Sequence, residues 1–203
     1  MGYIAVIDYG VGNLFSLKSS FAFIGEPVRV SSDLDEIYKA DRVILPGVGA
    51  FADAAARLRA GGLDEAVKSV AQKGTPLLGI CLGMQLLFDA SEEYGYHAGL
   101  GLLPGCVRRI PVPDESYKIP QIGWNSLHIV REHPLFANTN EGDFVYFVHS
   151  FHAEDCGEAL LATTDYGTTV TAAAARDNVC GTQFHPEKSG EVGLSILRAF
   201  CAI

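Results

Sequence analysis

Residues 76–87 read Pro-Leu-Leu-Gly-Ile-Cys-Leu-Gly-Met-Gln-Leu-Leu and place one cysteine between an apolar, strand-like run and the start of a helix. Gly79 and Gly83 flank Cys81 in the pattern G-x-C-x-G, the cysteine form of the nucleophile elbow. The small residues permit a sharp turn that exposes the sulfur, and the first amides of the helix favour the thiolate. The pattern predicts a nucleophilic Cys81; a buried structural cysteine is the alternative for a lone free thiol.

A second segment, Thr-Gln-Phe-His-Pro-Glu-Lys at residues 182–188, supplies a histidine and a carboxylate two positions apart. Pro186 disfavours helical geometry at His185, so we expect the side chains of His185 and Glu187 to project to the same side. A carboxylate on one ring nitrogen fixes the tautomer and leaves the other nitrogen free to exchange a proton with a thiol. Alone, the tripeptide fits a solvated surface turn. Beside the elbow, it predicts a Cys81-His185-Glu187 triad.

The third segment is the loop Pro-Gly-Val-Gly-Ala-Phe at residues 46–51, which follows the strand-like run 41–44. Two glycines in a loop that leaves a strand let backbone N-H groups point at an anion. Together with the amide of Leu82, the amides of Val48 and Gly49 form a candidate oxyanion hole. Without the other two segments, an ordinary strand-to-helix turn would explain this loop.

These three motifs resemble those of the triad-type (class I) glutamine amidotransferases, and their order along the chain is the same. More narrowly, the loop together with Lys-Ile-Pro-Gln-Ile-Gly-Trp-Asn at 118–125 and Tyr-Phe-Val-His-Ser-Phe at 146–151 looks like the glutaminase subunits of imidazole glycerol phosphate synthases. The resemblance spans nearly the whole chain. It implies cofactor-free hydrolysis of glutamine and a heterodimer with a (β/α)8-barrel cyclase subunit, which takes the ammonia through a tunnel in histidine biosynthesis.

The resemblance also implies a substrate site outside the triad. Gln85 and Glu93 would contact the amino-acid end of glutamine, although a solvated helix face or a solvated acidic pair would also explain them. The backbone of two neighbouring segments would complete the site. The residues implied are Gly47, Gly49, Gln85, Glu93, His149, Ser150 and Phe151.

A partner-facing surface is predicted at Asn13, Trp124 and Lys188. Tryptophan is enriched among binding hot spots, so the lone Trp124 is a candidate interface anchor, although on sequence alone it fits a core position equally well. Lys188 directly follows Glu187, so a salt bridge from Lys188 to a partner carboxylate would couple docking of the partner to the triad.

Composition agrees with one enzyme domain over residues 1–203. The chain is 48% hydrophobic and 19% charged, enough to bury a core. A net charge of -9 without a Lys/Arg cluster argues against nucleic-acid binding. Five cysteines, without a C-x-x-C pair, argue against a disulfide framework and fit a reducing cytoplasm. We expect no leader segment and no membrane span.

The first half alternates apolar runs with helix-like segments, which predicts βαβ units. The fold class expected is α/β, three-layered, with a mostly parallel sheet flanked by helices and additional antiparallel strands. Strands are predicted at 3–7, 28–30, 43–45 and 77–80, and helices at 13–23, 51–58, 63–72 and 82–88. Later strands, which we expect to extend the sheet, are predicted at 107–110, 127–130, 144–148, 160–164, 169–174 and 179–184, before a helix at 190–200.

Other chemistries fit the sequence less well. Gly10-Val11-Gly12 begins a dinucleotide fingerprint, but Phe15 occupies the place of the third glycine, which favours a plain turn. His149, His152 and Cys180 match no zinc spacing, so no metal is predicted. Three functional alternatives remain: a cysteine peptidase on the same fold, a glutaminase that serves another pathway such as pyridoxal phosphate or anthranilate formation, and a non-catalytic binding module.

Overall fold

A parallel sheet formed mainly by the first half of the chain organises the computed structural model, which describes residues 2–203. The first four strands are β1 Ile4–Ile7, β2 Val28–Ser31, β3 Arg42–Leu45 and β4 Leu77–Ile80. They lie in the order β2-β1-β3-β4 and every neighbouring pair is parallel. Strands β1 and β4 are continuous buried apolar runs, the pattern expected where both faces of a sheet are covered.

Six α-helices accompany these strands: α1 Leu14–Phe23, α2 Leu34–Lys39, α3 Phe51–Ala60, α4 Leu63–Gln72, α5 Leu82–Leu87 and α6 Gly190–Ala202. The helix α4 shows the apolar periodicity by which these helices are predicted. Its buried residues are spaced at i, i+3, i+4, i+7 and i+8, which places them on one helix face. They are Leu63, Ala66, Val67, Val70 and Ala71.

The helix α2 was not predicted, because it has only six residues and a single buried one, Ile37. Its start does carry a local signal. The side chain of Asp33 accepts hydrogen bonds from the N-H groups of Asp35 and Glu36, which caps the helix.

The remainder of the chain adds ten strands: β5 Phe88–Ser91, β6 His97–Ala98, β7 Leu103–Arg109, β8 Gln121–Ser126, β9 His128–Ile129, β10 Phe144–His149, β11 Phe151–Glu154, β12 Leu160–Asp165, β13 Thr169–Arg176 and β14 Val179–Thr182. Strand β14 pairs in parallel with β4, and β13, β12 and β9 continue in antiparallel fashion. The result is an eight-stranded sheet in the order β2-β1-β3-β4-β14-β13-β12-β9. The expected antiparallel extension is confirmed for these strands.

Two small sheets lie outside the large one, so the expectation that all later strands extend it is wrong. Strands β11-β7-β5-β6 form one sheet, and β10-β8 form the other. The helix predicted to reach Phe88 ends at Leu87, because Phe88 is extended and begins a strand that pairs with β7. The strand β8 was missed, and the strand predicted at 127–130 shrinks to β9.

Two apolar cores fill the space between the large sheet and the helices. Alternate residues of β1 face opposite sides: Ala5 and Ile7 enter one core, and Ile4 and Val6 enter the other. This arrangement confirms the three-layered α/β class. No helix within residues 2–203 combines the length and the apolar character needed to cross a membrane.

The three sequence motifs meet at one edge of the large sheet. The loop 46–50 follows β3, Cys81 follows β4, and the segment 183–187 follows β14. Strands β3, β4 and β14 are neighbours and run parallel, so their carboxyl ends open onto the same crevice.

Candidate active site

A tight turn between β4 and α5 holds Cys81. The residue has a φ of 55° and a ψ of -113°, a conformation that non-glycine residues rarely adopt. Packing explains the two flanking glycines. A Cβ on Gly83 would lie 1.8 Å from the carbonyl oxygen of Leu45, and one on Gly79 would lie 2.8 Å from the carbonyl oxygen of Gly83. The structure therefore has the geometry of the predicted elbow.

Cys81 is less exposed than the sequence analysis expects, because only 6% of the residue is accessible. The expectation of an exposed sulfur is wrong in this respect: the turn directs the side chain into a cavity of about 310 Å³ rather than onto the outer surface. That volume is at the small end of the range for ligand sites, so it suits a molecule of amino-acid size.

The cavity brings together residues from six separate stretches of the chain. Besides Cys81 and His185, its lining includes most of the residues predicted for the oxyanion hole and the substrate site: Val48, Gly49, Leu82, Gln85, Glu93, His149, Ser150 and Phe151. Two lining residues, Pro120 and Val148, were not predicted. A larger groove of about 980 Å³ lies between Arg131 and Arg176, and its lining contains no cysteine or serine nucleophile.

Gly47 is the predicted substrate residue that does not line the cavity. A Cβ at this position would lie 2.8 Å from the backbone nitrogen of Gly83 and 2.8 Å from the hydroxyl of Tyr9. Glycine is therefore needed at residue 47 because the loop is packed directly against the elbow.

His185 and Glu187 form the pair that their spacing predicts. The Nδ1 atom of His185 lies 2.8 Å from Oε1 of Glu187, and their side chains are 3% and 1% exposed. Pro186 begins a short 3-10 turn, Pro186–Lys188, which returns the carboxylate toward the imidazole. The second ring nitrogen, Nε2, is buried and makes no hydrogen bond within residues 2–203.

The charge state of His185 depends on both neighbours. Burial alone would lower its pKa, but the charge interaction with Cys81 and the hydrogen bond and charge interaction with Glu187 outweigh burial and raise the pKa from 6.5 to about 10. The imidazolium form is therefore favoured at neutral pH. A cationic histidine between a sulfur and a carboxylate has a proton available for a leaving group.

A chain of two side-chain amides reaches the sulfur, and its second member was missed by the sequence analysis. The Nε2 group of Gln85 donates to the Phe151 carbonyl (2.9 Å) and to Oε1 of Gln183 (3.0 Å). In turn, Nε2 of Gln183 donates to Sγ of Cys81 over 3.7 Å. Gln183 stands two residues before His185 in the quoted motif, so the alternation of an extended segment could have indicated it.

Glu93 and His149 have defined contacts beside the cavity. Glu93 is half-buried, and its Oε2 accepts the N-H of Phe51 at 2.7 Å, at the start of α3. His149 lies 2.8 Å from the Phe151 carbonyl through Nδ1, so Nδ1 carries the proton and Nε2 is left as an acceptor. Burial lowers the pKa of His149 to about 4, which keeps this ring neutral at pH 7.

The predicted interface residues lie near the surface. Trp124 is 60% exposed, which excludes the core alternative, and it packs edge-on against Tyr146 with ring centroids 4.8 Å apart. Lys188 is exposed, with Nζ 5.6 Å from the centre of the same Tyr146 ring. Asn13 is half-buried where α1 begins.

Comparison with known proteins places this arrangement in a family. The model of the family described as glutamine amidotransferase class-I matches residues 5–202. The chain belongs to that family.

Two curated relatives narrow the resemblance within this family. This amidotransferase is 51% identical over 197 residues to "Imidazole glycerol phosphate synthase subunit HisH" of Bacillus cereus strain G9842, covering 97% of this chain and 93% of the relative. It is also 51% identical to the protein of the same name from Geobacillus thermodenitrificans, covering 100% and 97%.

Solved structures support the fold of the amidotransferase. A crystal structure of a glutamine amidotransferase matches with a TM-score of 0.76 at 18% identity, covering 99% of this chain and 98% of the other. The structure of PurLQS from Thermotoga maritima matches with a TM-score of 0.77 at 21% identity and the same coverage. Within the described part of the chain, no three His, Cys, Asp or Glu side chains are grouped to hold a metal ion.

Proposed function

We propose that this chain is the glutaminase subunit of an imidazole glycerol phosphate synthase, and that it hydrolyses glutamine through Cys81, His185 and Glu187. The observation that supports this most directly is the convergence of Cys81, His185 and the loop 46–51 on one cavity of amino-acid size. The narrower assignment is supported by a sequence identity of 51% to subunits of such synthases over 97% or more of this chain.

In the first chemical step, the Cys81 thiolate attacks the side-chain amide carbon of glutamine and forms a C-S bond. Negative charge develops on the amide oxygen, where the amides of Val48, Gly49 and Leu82 would donate to it. The imidazolium of His185 gives its proton to the departing nitrogen as the C-N bond breaks. Ammonia leaves, and a glutamyl thioester remains on Cys81.

In the second step, His185, now neutral, accepts a proton from water as the water oxygen attacks the thioester carbon. The C-S bond breaks, glutamate is released and the thiolate is restored. Throughout, Glu187 orients the imidazole through Nδ1 and stabilises its cationic form. The amide of Gln183 donates to the sulfur and so supports the thiolate before attack and after release.

Recognition of glutamine follows from the groups that remain free in the cavity. Both N-H donors of Gln85 are used within the protein, so only its oxygen is left for a ligand. That oxygen and the carboxylate of Glu93 would accept hydrogen bonds from the α-ammonium group. Backbone amides of Ser150 and Phe151 would donate to the α-carboxylate, with the Gly49 backbone nearby.

A partner subunit is needed to use the ammonia, and we propose a (β/α)8-barrel cyclase that docks on the face carrying Trp124, Lys188 and Asn13. Ile122 and Phe144, on the paired strands β8 and β10, are 61% and 59% exposed and extend this face. Val148 of the same sheet lines the cavity, so the surface is continuous with the site. We place the pair in the cytoplasm, where the five free cysteines would stay reduced.

The test compares the purified chain with and without a cyclase barrel that uses ammonia. We expect glutamine-dependent synthesis of imidazole glycerol phosphate only when both subunits are present. Peptide cleavage without glutaminase activity would instead indicate a cysteine peptidase. Glutaminase activity that couples only to a different synthase would retain the triad chemistry and overturn the pathway.

A further inference from the structure

The loop that bears the candidate oxyanion donors is fixed at its first residue by a buried tyrosine. The hydroxyl of Tyr9 donates to the carbonyl of Pro46 at 2.7 Å, between residues 37 positions apart. Tyr9 is 7% exposed and lies two residues beyond the carboxyl end of β1, in the turn into α1. Burial, reinforced by the charge of Cys81, raises the pKa of Tyr9, so the phenol stays protonated and remains a donor.

Packing around this bond leaves Pro46 little freedom. A Cβ on Gly12 would lie 3.2 Å from the ring of Pro46, so the turn after β1 packs closely against the proline. A Cβ on Gly47 would lie 2.8 Å from the Tyr9 hydroxyl and 3.0 Å from the Cβ of Leu82. Gly47 thus lies close to both the Tyr9 hydroxyl and the nucleophile turn.

The other end of the loop is fixed by a different group. The N-H of Phe51 is bonded to Glu93, and the Phe51 side chain is fully buried. Between the two fixed ends, packing is close at Gly47 but weak at Val48 and Gly49. Val48 is 42% exposed, and a Cβ on Gly49, whose φ is +101°, would meet no atom of residues 2–203 within 4 Å.

We propose that Tyr9 is a positioning residue for the oxyanion hole: by fixing the Pro46 carbonyl, it confines movement of the loop to the peptides of residues 47–50. This inference rests on the proposed function and adds a residue to it. Without the hydroxyl, the loop would pivot one residue earlier, and its amides would meet the developing oxyanion less often. Because oxyanion donors act in the transition state, the loss should appear in kcat rather than in KM.

The test is Tyr9→Phe, assayed for glutaminase activity alone and in complex with the partner subunit. Tyr3→Phe is the matched control, because Tyr3 makes the same kind of bond, to the Glu36 carbonyl at 2.6 Å, at the opposite end of β1. We expect kcat of Tyr9→Phe to fall about tenfold or more, short of the 10² to 10³ for losing a whole donor, with KM within about twofold. Tyr3→Phe should keep the wild-type kcat.

Alkylation of Cys81 by iodoacetamide distinguishes an effect on the oxyanion loop from a distortion of the whole active site. There the thiolate displaces iodide from carbon and no oxyanion forms, so Tyr9→Phe should be labelled at the wild-type rate, as followed by mass spectrometry of the Cys81 peptide. A kcat of Tyr9→Phe equal to that of Tyr3→Phe, or equal losses of kcat and alkylation rate, would overturn the proposal. Either result leaves the proposed function intact if the wild-type protein hydrolyses glutamine.

Discussion

The nucleophile turn and the oxyanion loop lie side by side, but they are built in opposite ways. Around Cys81, added Cβ atoms on the flanking glycines would meet backbone or side-chain atoms within 3 Å. Around Gly49, an added Cβ would meet nothing within the described residues. The thiol and the neighbouring Leu82 amide are therefore held by close packing, whereas the loop around Gly49 has room for its peptides to rotate. We expect the triad to be permanently assembled and the hole to be the adjustable part.

The largest expected effect comes from removing the fixed element. Cys81→Ser should reduce glutamine hydrolysis on the order of 10⁴-fold or more, because a hydroxyl at this position replaces the thiolate nucleophile. The fold and partner binding should be unchanged, since the substitution alters one atom. With ammonium supplied, the complex should still form the cyclase product, as measured by product release. Loss of ammonium-dependent synthesis as well would point to a structural role for Cys81.

The next effect tests the adjustable element. Gly49→Pro removes an N-H and requires a φ near -65° where the loop has +101°, so activation by the partner should fall on the order of a hundredfold. Glutamine turnover is compared for the free chain, the complex, and the complex with acceptor analogue.

Gly49→Ala is the matched variant, because it shares the conformational strain but keeps the N-H. It should retain more activation than Gly49→Pro. If the wild-type rate is the same in all three states, the loop does not gate the reaction. The triad chemistry would be unaffected by that outcome.

The third effect concerns the charge that the fixed triad stabilises. Glu187→Gln should lower kcat about tenfold or more and lower the pKa of His185, because the imidazolium loses its carboxylate partner. The alkaline limb of the rate profile, where His185 can no longer protonate the leaving nitrogen, should move to lower pH. A pH profile of kcat/KM with an unshifted limb would show that another group supports His185.

The same pKa gives a stability prediction with a definite sign. The pKa of His185 is raised in the folded protein from 6.5 to about 10. The interactions of the His185 imidazolium therefore stabilise the folded state fully below pH 6.5, and this stabilisation is lost as the pH rises toward 10. The stability difference between wild type and Glu187→Gln, measured by denaturant unfolding, should narrow over that range.

Whether a feature of the site can be predicted from the sequence depends on how far apart along the chain its residues lie. The elbow, the His-x-Glu pair and the strands that carry them are local patterns, and they were predicted. The bond from Tyr9 to Pro46 joins residues 37 positions apart, and that from Gln183 to Cys81 joins residues 102 apart. Alternation beside His185 could indicate the Gln183 side chain, but no local pattern indicates either bond. Burial of Cys81 likewise depends on segments that come together only in the folded chain.

The separate β8-β10 sheet was unpredictable for another reason. Its face carries Ile122, Trp124 and Phe144, which are apolar but exposed, so the usual link between an apolar pattern and burial misleads. An exposed apolar face of this kind is typical of a binding surface.

The last prediction concerns binding rather than turnover, and tests whether that surface connects a partner to the fixed triad. Trp124 packs on Tyr146, and the Tyr146 carbonyl accepts the N-H of His185 at 2.9 Å, so one residue separates the exposed indole from the triad backbone. Trp124→Ala should weaken association roughly thirtyfold, the effect of a hot spot of about 2 kcal/mol, as measured by titration calorimetry. The melting temperature of the free chain should change little because most of the side chain is exposed. Tyr96→Ala, which removes an aromatic ring that is 76% exposed and outside this sheet, should leave affinity unchanged. A wild-type affinity for Trp124→Ala with a large fall in melting temperature would make Trp124 a packing residue and place the docking surface elsewhere.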